Sequence, residues 1–251
     1  MRQLISLKLL PIKSKNIILN HGQKRFKSDR ILPASEFISW NASNPVKIRM
    51  EETEPGNYEP KLVQTMFRES LRKYGDRTAI VSFDGKIRWT YHQYHEEIQK
   101  AAKAFIALGL EPEHSVAIMA YNQPKWLVSS LGAIFAGGLS NGIYTTNAPN
   151  IVHYICKQAS VDLLVLQNDQ LLTNILKQEP SLKNTVKKFI LMDTNLNSKE
   201  LGQNVLTWNE MIEEGRHVSN DTLIEKEKEQ AVNKACMLMY TSGTTGLPKG
   251  N

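Results

Sequence analysis

The residues best suited to chemistry stand together near the carboxyl end, where Tyr240 to Gly250 reads YTSGTTGLPKG. Thr241, Ser242, Thr244 and Thr245 offer hydroxyl donors, and Lys249 adds a positive point charge. Gly243, Gly246 and Gly250 let the backbone approach a ligand closely and adopt positive φ, so that successive N–H groups can line a concave nest. Pro248 stiffens the turn ahead of the lysine. Donors, a cation and bare backbone in one short loop suit an anion of the phosphate type. The plain alternative is a surface turn that binds nothing, and the apolar run directly upstream argues against it. Two familiar nucleotide motifs are excluded by spacing. In G-x-x-x-x-G-K-[ST] the second glycine, counted from Gly243, would fall at Pro248, and no G-x-G-x-x-G is present.

Such a loop needs a strand to deliver it and a sheet edge to present it. ACMLMY (235–240) is an apolar strand leading straight into Thr241. Upstream, SVAIMA (115–120), LSNGIY (139–144), VDLLVLQ (161–167) and KKFILM (187–192) read as strands. They alternate with helical segments PKWLVSSLGAIFA, TNAPNIVHYICKQA and DQLLTNILKQ. Strands apolar on both faces, separated by helices, predict an α/β doubly wound, mostly parallel sheet with helices on both faces. Ligands of such sheets bind beyond the carboxyl ends of the strands, where the quoted loop would sit. Ahead of the alternation, KLVQTMFRESLRKYG predicts a helix with Leu62, Met66, Leu71 and Tyr74 inward and Gly75 as its stop. TAIVSF and KIRWTY flank Asp84-Gly85 as a β-hairpin. HQYHEEIQKAAKAFIALGL predicts a helix packing through Ile98, Ala101, Ala102, Phe105 and Leu108. VLTWNEMIEEG adds a short strand and helix, and residues 215–234, polar and charged, read as a surface connection.

The composition, 41% apolar and 22% charged, is that of a globular protein. The net charge of +6 is unevenly placed. Residues 1–30 carry eight Lys/Arg against one acid, which leaves the remaining 221 residues at −1. A nearly neutral body implies no basic face, so nucleic acid is not an expected partner. The basic start has three readings: a mitochondrial transit peptide, an extension that touches membrane phosphates, or a tail without a role. Residues 31–60, rich in Pro, Asn and Glu, read as an irregular lead-in to a domain over 61–251. Cys156 and Cys236 lie too far apart for a metal-ligand pair and suit a reducing compartment, which implies a cytoplasmic or mitochondrial protein. Trp126 to Cys156 contains no Asp, Glu, Lys or Arg, yet Gly, Ser, Thr and Asn interrupt it every few positions. It predicts a buried helix and strand instead of a transmembrane span.

YTSGTTGLPKG resembles the signature phosphate loop of the adenylate-forming superfamily. WTYHQYHEEIQKAAKAFIALGLEP, YNQPKWLVSSLGAIFAGG and GIYTTNAPNIVHYI are similar to the long-chain acyl-CoA synthetases, most closely the bubblegum-type subgroup. The resemblance covers residues 35–250 and implies a two-step ligase that joins a fatty acid to coenzyme A through an acyl-adenylate made from ATP. It further implies that Thr241, Ser242, Gly243, Thr244, Thr245 and Gly246 hold phosphate oxygens, that Lys249 neutralises departing charge, and that Mg²⁺ bridges the phosphates. Peripheral membrane contact fits the same reading. Relatives continue past this loop with a glycine-valine run into a helix, where this sequence has Gly250 and then Asn251. In them the adenine, ribose and fatty-acid sites follow, and a mobile domain carries the catalytic lysine. The main catalytic residues are therefore expected beyond Asn251. Residues 1–251 are expected to be the front part of a longer enzyme that does not turn over alone. A medium-chain or aryl-acid ligase, or a noncatalytic binding module, are the rival readings.

Other residues invite weaker readings. His92 and His95 lie one helical turn apart beside Glu96 and Glu97, but with no third ligand evident a solvated helix face is expected. Asp76, Asp84, Asp162 and Asp169 read as structural. Trp126 and Tyr144 are expected in the core, although Tyr144, Thr145 and Thr146 stand where a strand end could face a cleft.

Overall fold

The apolar runs become the strands of one sheet. The structure, a computed structural model, describes residues 29–50, 58–196, 202, 204–241 and 247–250. The three readings of the basic start therefore lie almost wholly outside the described residues. Residues 29–50 and 58–62 carry no helix or strand.

The chain enters with α1 (Val63–Tyr74), the hairpin β1 (Thr78–Val81) and β2 (Arg88–Thr90), and α2 (Tyr91–Ala107). Gly85 closes the hairpin at φ +71°, a conformation that favours glycine. A reciprocal capping box starts α2: Thr90 accepts from the Gln93 N–H while the Gln93 side chain accepts from the Thr90 N–H. Then come β3 (Ser115–Met119), α3 (Pro124–Phe135), β4 (Leu139–Gly142), α4 (Pro149–Gln158), β5 (Val161–Asn168), α5 (Asp169–Gln178) and β6 (Lys188–Asp193). β7 (Val205–Thr207), α6 (Trp208–Glu214), α7 (Asn220–Glu229), β8 (Met237–Thr241) and β9 (Lys249–Gly250) complete the order.

Seven strands form the sheet in the order β7-β6-β5-β3-β4-β8-β9. Neighbours run parallel throughout except β8 and β9, which are antiparallel. One core joins α2, α3 and α6 to the sheet through Ile98, Phe105, Val128, Ile118, Leu163 and Met211. A second, around Ala117, Ile155, Cys156, Leu164, Ile175 and Phe189, lies under α4 and α5. All of β3 and the first six residues of β5 are buried, so the expectation of strands apolar on both faces holds at the centre. It fails at β8: Met237 and Met239 are exposed, and only Tyr240 is fully buried. The uncharged stretch 126–156 divides into α3, β4 and α4. No helix among the described residues is long and apolar enough to cross a membrane.

Three local expectations are corrected. On α1, Met66 is exposed and Gln64 is buried, because the Gln64 amide donates to the Ile134 carbonyl (3.1 Å) and to Gln230 Oε1 (3.0 Å). Within residues 215–234 there is a helix, α7. Ser219 caps its first turn and its charged residues pair with one another, while Arg68 grips Glu227 through two contacts of 2.6 Å. Leu223 is its one fully buried side chain, too little to register as an apolar stripe.

The third concerns His95, which leaves the solvated face expected of it. Its ring stacks on Phe67 (5.6 Å between centroids, 21°) and meets Phe135 edge-on (6.1 Å). Desolvation, followed by the charges of Arg68 and His92, pushes its pKa below the ordinary 6.5. The unfolded chain thus takes up the proton first as pH falls, so this histidine favours folding fully above pH about 6.5 and progressively less below it. Urea midpoints at pH 7.5 and 5.5 are expected to differ less for His95→Phe than for the natural protein. An equal drop in both would remove His95 as a cause.

Candidate functional site at the carboxyl edge of the sheet

The loops leaving β3 and β4 diverge, since α3 packs on one face of the sheet and α4 on the other. Open α/β sheets bind ligands beyond the carboxyl edge at such a divergence, and β8 borders β4 there. β8 pairs with β4 through Ser140–Met237, Asn141–Leu238 and Gly142–Met239, so Tyr240 and Thr241 emerge beside Ile143 and Tyr144.

The expected phosphate loop is the connection of a hairpin. β9 folds back on β8 with Tyr240 opposite Gly250 and Thr241 opposite Lys249. Thr241 and Lys249, at the two ends of the loop, are thereby brought face to face, and both are exposed. Ser242, Gly243, Thr244, Thr245 and Gly246 lie outside the described residues. So does Asn251, the boundary past which the main catalytic residues are expected. The described part of the site accordingly holds phosphate-binding candidates, Thr241 and Lys249, and no assigned catalytic residue. Gly250 has a local reason: a Cβ there would fall 3.0 Å from Tyr240 Cζ and 3.1 Å from its hydroxyl, so a side chain at this position would press on the ring.

Tyr240 is buried, and its phenol is pushed up to about 12 by burial and by the neighbouring Tyr154 and Cys156. It serves as a neutral floor under the hairpin and not as an acid or base near pH 7. Burial likewise raises Cys156 to about 12 and lifts Cys236 above its usual range. Neither thiol is a ready nucleophile.

Tyr144 is not in the core. It stands 68% exposed at the end of β4, with Thr146 exposed beyond it, on the rim that adjoins Thr241. Its place at a strand end was the available signal; its apolar neighbours concealed it. Trp126 is half-buried against the core, as expected. In β4 itself, the fully buried Asn141 carboxamide has no hydrogen-bond partner among the described residues, while Ser130 and Ser140 bond to each other at 2.8 Å.

One cluster with metal-ligand chemistry was invisible to local spacing. Glu111, His114 and Asp162 converge within 4.8 Å at the opposite, amino edge of the sheet. The Lys187 ammonium already lies there, 2.5 Å from Glu111 and 3.0 Å from Asp162, and Asp162 also accepts from the Glu111 N–H. The arrangement is that of an ion-pair network whose cation is a lysine. His92 pairs with Asp76 at 3.3 Å and is remote in role from His95.

With this geometry in view, the comparisons with known proteins are specific. The model of the family described as AMP-binding enzyme matches residues 67–251. The long-chain-fatty-acid–CoA ligase ACSBG2 of Xenopus laevis is 38% identical over 224 residues, covering 87% of this chain and 30% of that protein. ACSBG2 of Gallus gallus is 40% identical over 221 residues (87% and 29%), and the long-chain-fatty-acid–CoA ligase ACSBG1 of Rattus norvegicus 37% over 222 (87% and 30%). The chain thus spans about 30% of the length of these relatives. Among solved structures, the anthranilate CoA ligase AuaEII in complex with anthranoyl-AMP superposes with a TM-score of 0.57 at 20% identity, covering 74% of this chain and 33% of that one. Apo MbtA of Mycobacterium smegmatis gives 0.59 at 19%, covering 77% and 33%. At these identities the structural likeness speaks to the fold alone.

Proposed function

Because the chain belongs to the AMP-binding enzyme family, we propose that the intact protein is a long-chain fatty acid–CoA ligase of the bubblegum type. A carboxylate oxygen of the fatty acid attacks the α-phosphorus of ATP, the bond to the β-phosphate breaks, and acyl-adenylate and diphosphate result. The coenzyme A sulfur then adds to the acyl carbonyl; AMP leaves, the thiol proton is released, and the thioester remains. The observation that carries this reading is the 36–40% identity to proteins named as such ligases, over most of this chain.

The part assigned to these residues is electrostatic. Thr241, Ser242, Thr244 and Thr245 would donate to the β- and γ-phosphate oxygens, joined by backbone N–H groups at Gly243 and Gly246, and Lys249 would stabilise the charge that grows on departing diphosphate. The hairpin register supports the assignment, since it sets the Thr241 hydroxyl and the Lys249 ammonium on one edge. Bound Mg²⁺ supplies further neutralisation of the triphosphate. Thr241 and Lys249 offer it a hydroxyl and no carboxylate, so on this chain it would be held chiefly through the phosphates, with loop hydroxyls beside it. Tyr144, Thr145 and Thr146, which follow β4, would border the bound nucleotide on that side. Long fatty acids partition into bilayers, and peripheral contact with a membrane belongs to the same proposal.

Acid-dependent ATP–diphosphate exchange by the intact protein tests the reading. Exchange is expected with long-chain fatty acids and weaker with medium-chain and aryl acids. Preference for an aryl acid would move the protein elsewhere in the family. No exchange with any carboxylic acid would end the proposal.

A further inference from the structure

We propose that the loop between Glu36 and Lys47 is a docking finger for an anionic phospholipid bilayer. Three large apolar side chains in it face outward from this chain of 251 residues: Phe37 is 45% exposed, Ile38 70% and Trp40 98%. Isolated exposed apolar residues are ordinary, but three within four positions of one loop form a patch.

The loop is held in this posture and has not simply failed to collapse. Its ends are tied by the Lys47 N–H donating to the Glu36 carbonyl at 2.6 Å. Inside it, the Asn41 N–H donates to Ser39 Oγ (3.0 Å) and the Asn44 N–H to the Asn41 carbonyl (3.1 Å). Its base is clamped to the body by the buried Asn233. That carboxamide donates to the carbonyls of Leu32 (2.8 Å) and Val46 (3.0 Å) and accepts from the Leu32 N–H (3.0 Å), while the Val46 N–H donates to the Asn233 carbonyl (2.9 Å). Ser43 donates to Glu113. With root and turn fixed, little chain entropy remains to be lost when the apolar tip enters another phase.

Charge selects the occupant. Lys47 Nζ and Arg49 Cζ lie 5.0 and 4.9 Å from the Phe37 ring centroid, so two cations accompany the apolar tip. Glu36 is the one acid of the segment 36–50. Upstream in sequence, residues 1–28 carry seven Lys/Arg and no acid, while Glu51, Glu52 and Glu54 follow on the other side. Trp and Phe favour the headgroup boundary of a bilayer, and basic residues there gain from anionic lipid. Binding at an interface grows with the apolar area buried and with the attraction of cations to anionic lipid, and this loop offers both. An apolar protein partner would have no use for the cations set beside Phe37. This deepens the membrane contact proposed above, and it stands or falls independently of adenylation.

The test is sedimentation of the intact protein with vesicles of phosphatidylcholine, alone or mixed with phosphatidylserine, beside ATP–diphosphate exchange measured without vesicles on a long-chain fatty acid carried by albumin. Binding is expected only with phosphatidylserine. The double change Ile38→Ser, Trp40→Ser is expected to lower the partition coefficient by about tenfold or more, and Lys47→Glu, Arg49→Glu to do likewise at low salt, with exchange unchanged. Lipids brominated near the headgroup should quench a fluorescence component that Trp40→Phe removes. Binding indifferent to both double changes, binding equal on pure phosphatidylcholine, no vesicle binding at all, or no Trp40 quenching would each overturn the proposal. Loss of exchange in natural protein that still binds vesicles would instead sink the adenylation reading.

Discussion

Alanine in place of Lys249 is expected to lower acid-dependent ATP–diphosphate exchange of the intact protein by about a hundredfold or more, the range found when one preorganised group at a developing charge is removed. Lys249 is held opposite Thr241 in the β8–β9 hairpin and lies exposed, so it contributes its charge without packing in the core. The variant should therefore unfold at the same denaturant concentration as the natural protein, within the ±0.5 kcal/mol usual for surface substitutions. Lys249→Arg keeps the charge but replaces a compact ammonium by a planar fork, and should recover only part of the rate. Thr241→Val removes one hydroxyl and is expected to cost less, about tenfold. Exchange that survives in Lys249→Ala would show that the triphosphate is gripped elsewhere.

The largest loss of stability is expected from a single methyl group at Gly215. This residue ends α6 against the C-terminal part of α2, and a Cβ there would fall 2.5 Å from the Ala104 nitrogen, 2.8 Å from its Cα and 2.9 Å from the Lys103 carbonyl carbon. All three are backbone atoms, so no side chain can swing aside. The approach is close because α2 presents Ala101, Ala102 and Ala104, none of them exposed at all. Gly215→Ala must separate two elements of the larger core, at a cost of about 3 kcal/mol or more. Gly85→Ala is the control: a Cβ at Gly85 meets nothing within 4 Å, and its cost, about 1 kcal/mol, comes from the positive φ alone. Denaturant midpoints of the two variants separate the mechanisms. Equal losses would mean that the α2–α6 contact yields easily.

These two residues mark how far the sequence could be read. The proposal for Lys249 needs no fold, because it rests on local chemistry: hydroxyls, glycines and a cation within one loop suit an anion. The central strands were legible for a similar reason, as β3 and β5 are buried on both faces and their apolar runs are unbroken. Gly215 could be read as a helix end, but its closeness to Ala104 belongs to a pairing more than a hundred positions distant in the chain. α7 escaped because its stability comes from a cap, charge pairs and the Arg68–Glu227 contact in place of an apolar stripe. Tyr144 is exposed against expectation because composition reports burial only on average, and β4 ends at Gly142, two residues before it. The same limit hid the partners of Asp162: Glu111 and His114 come from the α2–β3 connection and Lys187 from the one before β6.

The position of β8 governs when the hairpin can take shape. On its parallel side β8 bonds to β4, and the rung joining Asn141 to Leu238 closes nearly a hundred residues of chain. The rungs among β3, β4, β5 and β6 close far shorter loops, and their entropic cost is correspondingly smaller. The order of assembly follows: the middle of the sheet can form while β8 is still detached, and the β8–β9 corner is among the last parts of this region to become native. Amides of β8 should then gain hydrogen-exchange protection after those of β3 and β5 during refolding.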